Sequence, residues 1–278
     1  MKVRRSCRLC LLALLLALLA GCSADRPLNP SFPLTVAQAR DVLRQMRADP
    51  KPLQRPVLVL SGIHDPGIVV SSVANRLRGI TTDDAKIQTV SFFGADTFGA
   101  CRKRVLDKMQ ALAAERGEDG GDVEIDVVAV SMGGLVARCA ATPRAEDDRS
   151  LRIKRLFTIS SPHRGANMAG LPTFDRRIID MRPGSAFLAD LDAATEEADY
   201  ELIPYVRLGD AIVGQENAAP PGRQAWWVAT GPLSLAHISA YDDLRIIADI
   251  ARRLRDEEPF TRSPPAEMPK TTATSAEP

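Results

Sequence analysis

Long apolar runs, net charge and metal-binding cysteines are all scarce in this 278-residue chain. Its main apolar run, residues 11–20, is ten residues of Leu and Ala, about half of the roughly 20 that a helix needs to span a bilayer. Lys and Arg number 36 against 35 Asp and Glu, and no basic domain or stripe stands out. That argues against nucleic-acid binding as the main role. The C-x-x-C pair Cys7-Arg8-Leu9-Cys10 lies in the basic N-terminal segment, and beyond it no C-x-x-C pair and no Cys/His cluster is present, so the sequence offers no structural zinc site. Histidine is limited to three positions, which leaves few candidates for any proton-transfer chemistry. No internal repeat is visible.

The N-terminus does not read as part of the fold. Lys2, Arg4, Arg5 and Arg8 precede the Leu/Ala run, the pattern of an export signal. The run ends in Leu19-Ala20-Gly21-Cys22, which resembles the lipobox of bacterial lipoproteins. That resemblance implies a signal over residues 1–21, a mature chain starting at Cys22, and acyl chains on Cys22. An ordinary secreted chain with an unmodified Cys22 is the alternative. Each buried methylene of an acyl chain contributes about 0.8 kcal/mol to anchoring. Ser23 rather than Asp follows the cysteine, so the expected location is the cell envelope, at the outer membrane where there are two. Loss of residues 1–21 removes four basic side chains and no acid, so 36 against 35 becomes 32 against 35. Residues 22–33 read as a polar, Pro-containing tether. Residues 259–278, rich in Pro, Thr and Ser, read as a disordered tail. Between them, residues 34–258 are long enough for one α/β domain with a full core.

Helical spacing of Val36, Ala39, Leu43 and Met46 marks a first helix, closed by Pro50 and Pro52. Val57-Leu58-Val59-Leu60 is a short continuous apolar run of the kind buried on both faces of a parallel sheet. Strands are expected at 57–60, 87–93, 123–130, 153–160, 202–208 and 224–230. Helices are expected between them and over 241–255. This alternation predicts a mostly parallel sheet of about six strands flanked by helices. Residues 162–200 interrupt the alternation and are placed to form a small cap over the carboxyl ends of the strands, where such sheets bind ligands.

The strand at 123–130 runs into Ser131-Met132-Gly133-Gly134 and a helix-compatible stretch. That is the pattern of a nucleophile elbow, in which a sharp strand-to-helix turn presents a serine hydroxyl above the sheet. Ala129 replaces the first glycine of G-x-S-x-G, and small residues still flank the turn. A serine nucleophile needs a base to take its proton and an acid to orient that base. Asp210 lies where the strand at 202–208 breaks at Gly209, and His237 lies between the last strand and the last helix. The order Ser131, Asp210, His237 is that of α/β hydrolases.

On VLVLSGIHDPG, VVAVSMGGLVAR, FTISSPHRGANMA, MRPGSAFLADL, RLGDAIVG and LAHISAYDDLRII, the chain resembles α/β hydrolases of the bacterial esterase/lipase type over about residues 53–255. The resemblance implies Ser131 as nucleophile, Asp210 as acid and His237 as base. It implies an oxyanion hole from the Met132 and Ile63 backbone amides, and no cofactor. In these lipases the elbow often begins with Ala, as at Ala129. Ser61 departs from the family, which usually has His there. A thioesterase, amidase or acyltransferase could use the same three residues, and an envelope lipoprotein could keep the fold without catalysis.

Other residues have plainer readings. His163 supports the post-strand loop, and His64 is a loop histidine near the oxyanion hole. Asp65 and the pair Asp242-Asp243 suit helix caps. Trp226 and Trp227 suit core and sheet-face positions. Without a full set of oxygen ligands, no metal site is expected. Cys101 and Cys139 are left after export, and a disulfide and two buried thiols are equally compatible with their placement. A base at His237 must be neutral, so activity is expected to fall as pH drops through the ordinary histidine range, near 6.5.

Overall fold

The computed structural model describes residues 28–115, 123–196, 198–231 and 234–269; residues 1–21, read above as an export signal, Cys22 and residues 270–278 lie outside them. The first strand, β1 (Val57–Leu60), is buried along its whole length, as its uninterrupted apolar sequence requires. It pairs in parallel with β2 (Ile87–Val90) on one side and β3 (Glu124–Val130) on the other. Further strands β4 (Arg152–Ile159), β5 (Glu201–Arg207) and β6 (Trp226–Val228) continue the sheet, in the order β2-β1-β3-β4-β5-β6. Every pair is parallel, which accounts for the helical crossovers between them.

Helices cover both faces. On one lie α1 (Val36–Ala48), α2 (Ile68–Arg78) and, near the C-terminus, α8 (Leu244–Leu254), packed on Val59, Val128, Phe157 and Tyr205. On the other lie α3 (Phe98–Ala114) and α4 (Met132–Ala141), packed on Leu58, Val127, Ala129 and Leu156. Successive residues of β3 thus feed opposite faces, the period-two alternation of a strand. The excursion after β4 carries a 3-10 turn at Asn167–Gly170, then α5 (Arg176–Asp180) and α6 (Ala186–Glu196).

Two boundaries differ from expectation for identifiable reasons. The second strand stops at Val90 because the Phe92 amide donates to the Ser61 hydroxyl at 3.0 Å, outside the ladder. The expected helix over 241–255 is shorter, α8 at Leu244–Leu254, and a further short helix, α7 (Ala236–Ala240), precedes it. Asp243 separates them as the N-cap of α8, accepting from the Arg245 amide at 3.0 Å.

The chain ends differ more. Residues 259–269, read from composition as the start of a disordered tail, are packed along β6. Buried Asp249 accepts from the amides of Phe260 at 2.6 Å and Thr261 at 2.9 Å. The Trp227 indole donates to the carbonyls of Ala266 at 3.0 Å and Glu267 at 3.1 Å. Residues 28–33, expected in the tether, lie beside them: Phe32 is buried, and Asn29 Nδ2 donates to the Trp227 carbonyl at 2.8 Å. The two ends also meet, since the Ala266 amide donates to the Ser31 hydroxyl at 2.8 Å. Together they cover an edge strand whose backbone would otherwise be open to another chain.

Candidate active site

The turn from β3 into α4 places Ser131 at φ 50° and ψ −123°. A non-glycine residue pays a strain cost at such angles, so its surroundings must hold it there. They do so by close approach. A Cβ on Gly133 would lie 2.6 Å from the Ser61 carbonyl oxygen and 2.9 Å from that of Leu60. One on Gly134 would lie 2.3 Å from the Ser161 hydroxyl oxygen. The first turn of α4 is therefore wedged between the ends of β1 and β4, and only glycine fits at either position.

His237, on α7, directs Nε2 to the Ser131 hydroxyl oxygen at 3.2 Å. Its Nδ1 lies 2.8 Å from Asp210 Oδ2. A carboxylate accepts, so Nδ1 carries the proton and Nε2 is free to take the serine's. Asp210 follows Gly209, whose φ of 79° ends β5. Its other oxygen accepts from the amides of Ile212 at 3.1 Å and Val213 at 3.0 Å. Burial pushes the Asp210 carboxyl up, but the bonds from His237 and Val213 outweigh it and hold the group below its ordinary value. Asp210 is thus a fixed anion behind the imidazole. The sheet brings together three residues spread over 106 positions, each at the carboxyl end of a strand.

Ser131 and His237 border a cavity of about 310 Å³ with mostly apolar walls: Val69, Met168, Ile178, Met181, Ile212 and Val213 are among them. Gly62 and Ile63 line the same cavity, and a Cβ on Gly62 would lie 3.3 Å from Ser131 Cβ. As the first residue of α4, Met132 has an amide with no acceptor inside the helix. Both segments expected to supply oxyanion donors therefore adjoin Ser131. Ser61, the departure from the family pattern, is fully buried. Besides accepting from Phe92, it donates to the Gly62 carbonyl at 3.1 Å, so it ties this loop to the end of β2.

The other two histidines stand apart. His163 is wholly buried, with Nε2 3.0 Å from the Thr158 hydroxyl and Nδ1 3.4 Å from Arg138 Nη1. A guanidinium can only donate, so Nδ1 accepts and the ring is neutral. Burial and the Arg138 charge both push its pKa well below the ordinary histidine value. His64, at φ 58°, is exposed and pairs with Asp175 at 3.1 Å, linking the loop after β1 to the cap. Asp65 caps α2, accepting from the amides of Gly67, Val69 and Val70 at 2.9–3.1 Å. Asp242 instead bonds Arg76 at 2.9 Å. Trp227 is core, beside Val206 and Ala225, and Trp226 is partly buried against the separate cluster that holds Tyr205. Cys101 and Cys139 are free, buried thiols.

Two residues beside the site carried no sequence signal. Tyr241 lines the cavity and sets its ring edge-on to His237, with centroids 5.3 Å apart. Arg138, buried on α4, bonds Asp192 of α6 at 2.7 Å and the Thr195 hydroxyl at 2.9 Å, which fastens the cap to the elbow helix. Among the described residues, no group of three or more His, Cys, Asp or Glu could hold a metal ion, and no helix is long and apolar enough to cross a membrane.

No protein-family model and no curated protein matches the sequence. Solved structures do match in shape. The product of gene lin2722 from Listeria innocua is 15% identical, with 74% of this chain and 95% of that one covered and a TM-score of 0.53. The mature form of the Bacillus licheniformis lipase BlEst2 is 13% identical, with 73% and 94% covered and a TM-score of 0.51. These likenesses, with the six-stranded parallel sheet flanked by helices, show an α/β-hydrolase fold.

Proposed function

We propose that this chain is a serine hydrolase of carboxylic esters, held at the cell envelope by acyl chains on Cys22. The observation that carries the reading is the hydrogen-bonded line from Ser131 through His237 to Asp210 at the wall of an apolar cavity. In this reading Ser131 Oγ gives its proton to His237 Nε2 and attacks the acyl carbonyl. Asp210 stabilises the imidazolium that forms. The Met132 and Ile63 amides hold the oxyanion, each such donor being worth about 3 kcal/mol. His237 then protonates the leaving alcohol, and a water activated by the same imidazole frees the acyl group.

The apolar walls favour an ester with an alkyl or acyl chain, lipid esters included, and the name of the BlEst2 lipase agrees with this. Thioesters, amides and acyl transfer would use the same steps with a different leaving group or acceptor. A panel of p-nitrophenyl esters of rising acyl length, with a thioester and an anilide beside them, tests the assignment. Ester turnover should exceed the other two and be lost in Ser131→Ala. Fastest turnover of the thioester or anilide would replace the ester reading. For the anchor, Cys22→Ser should release the chain from membranes.

A further inference from the structure

Four polar side chains border the cavity: Asp65, Ser131, His237 and Tyr241. Asp65 is committed to the three amides at the start of α2, and Ser131 and His237 to each other. Tyr241 is left with a proton to give. Its ring is packed on the side of the core that holds Ile246 and Ile247 and is fixed edge-on to His237 at an interplanar angle of 78°. Tyr241 and Ser131 line the same cavity, and both adjoin His237. Burial pushes the phenol above its ordinary value, the Ser131 hydroxyl works the other way, and the Asp210 and Asp65 charges add to the rise. The group therefore stays protonated wherever the protein is folded and active, as a donor and never a base.

We propose that Tyr241 is a further catalytic residue, donating a hydrogen bond to Ser131 Oγ as negative charge builds on that atom. This rests on the ester-hydrolase reading. A serine oxygen has one proton and two lone pairs. The proton goes to His237 Nε2 and one lone pair forms the bond to the acyl carbon, so the second can accept from Tyr241. In acylation Oγ gains charge as its proton leaves. In deacylation it gains charge again as the Oγ–acyl bond breaks, before His237 returns the proton. The tyrosine proton is transferred in neither step. Such contacts are often loose in the free enzyme and tighten when charge develops.

Tyr241→Phe keeps the ring and its packing on His237 and removes the donor. With p-nitrophenyl butyrate, the burst rate and the steady-state kcat should both fall about 10- to 100-fold, the usual worth of a hydrogen bond to a charged group, while KM changes little. Chains with 3-fluorotyrosine at 241 keep ring and donor, and their kcat should exceed that of Tyr241→Phe by about the same factor. A Tyr241→Phe enzyme as fast as wild type, or a 3-fluorotyrosine enzyme as slow as Tyr241→Phe, would overturn the proposal and leave the triad standing. Wild type that neither turns over the ester nor reacts with a fluorophosphonate would overturn the ester-hydrolase reading itself, and this inference with it.

Discussion

Gly134 packs so closely on Ser161 that a methyl group at its Cα would lie 2.7 Å from the Ser161 Cβ and 3.0 Å from Thr158 Cγ2. Neither atom is the free end of a long side chain. Gly134→Ala must therefore push α4 away from β4 and take Ser131 with it. We expect a loss of about 1–3 kcal/mol in stability, the range for overpacking a close-packed core, and a fall in ester turnover larger than the unfolded fraction explains. Urea denaturation and kcat measured on the same preparation check both.

Arg138 and Asp192 form the tie between the elbow helix and the cap. The arginine side chain is 1% exposed and the aspartate 30%. Asp192→Asn leaves the guanidinium facing His163 with no carboxylate. Breaking a fully buried pair costs about 3–5 kcal/mol; partial exposure of Asp192 lowers the expected loss to about 1–3 kcal/mol. A shifted urea midpoint with an unchanged m-value is the expected reading.

His163 ties stability to pH. Its folded pKa is depressed while the unfolded chain titrates at the ordinary value near 6.5. Below that pH the unfolded state binds a proton that the native state refuses. Stability is therefore complete above about pH 6.5 and falls by as much as about 1.4 kcal/mol per unit as pH drops toward the folded pKa. The slope of unfolding free energy between pH 6.5 and 5 should be smaller in His163→Gln, whatever that variant's absolute stability.

Much of this was readable from sequence because it depends on short-range pattern. Continuous apolar runs marked strands buried on both faces, and a serine between a strand and two glycines marked the elbow. Asp210 and His237 were legible because topology puts strand ends together and histidine is scarce. The rest depends on distant partners. Residues 259–269 look disordered by composition, yet Asp249 and Trp227 supply the hydrogen bonds that hold them. Tyr241 looked like the first residue of the last helix. In the fold it closes α7 as its C-cap and lines the cavity. Arg138 read as an ordinary helix residue because its partner Asp192 lies 54 positions away.

The two thiols make a further prediction. Burial pushes the Cys101 thiol up to about 11 and also raises that of Cys139. In the chain without residues 1–22, both should resist Ellman's reagent at pH 8 in the native state and react at once in guanidinium chloride. No thiol released on unfolding would mean that they pair in a disulfide.

The central claim is that Ser131 is an activated nucleophile. Incubation with a fluorophosphonate probe, read by intact mass and by the peptide modified, tests it most directly. We predict one adduct on Ser131, none in Ser131→Ala, and labelling slowed at least about a hundredfold in His237→Ala, from which the base is missing. A folded wild-type chain that takes up no probe, or takes it up at another residue, would contradict the account.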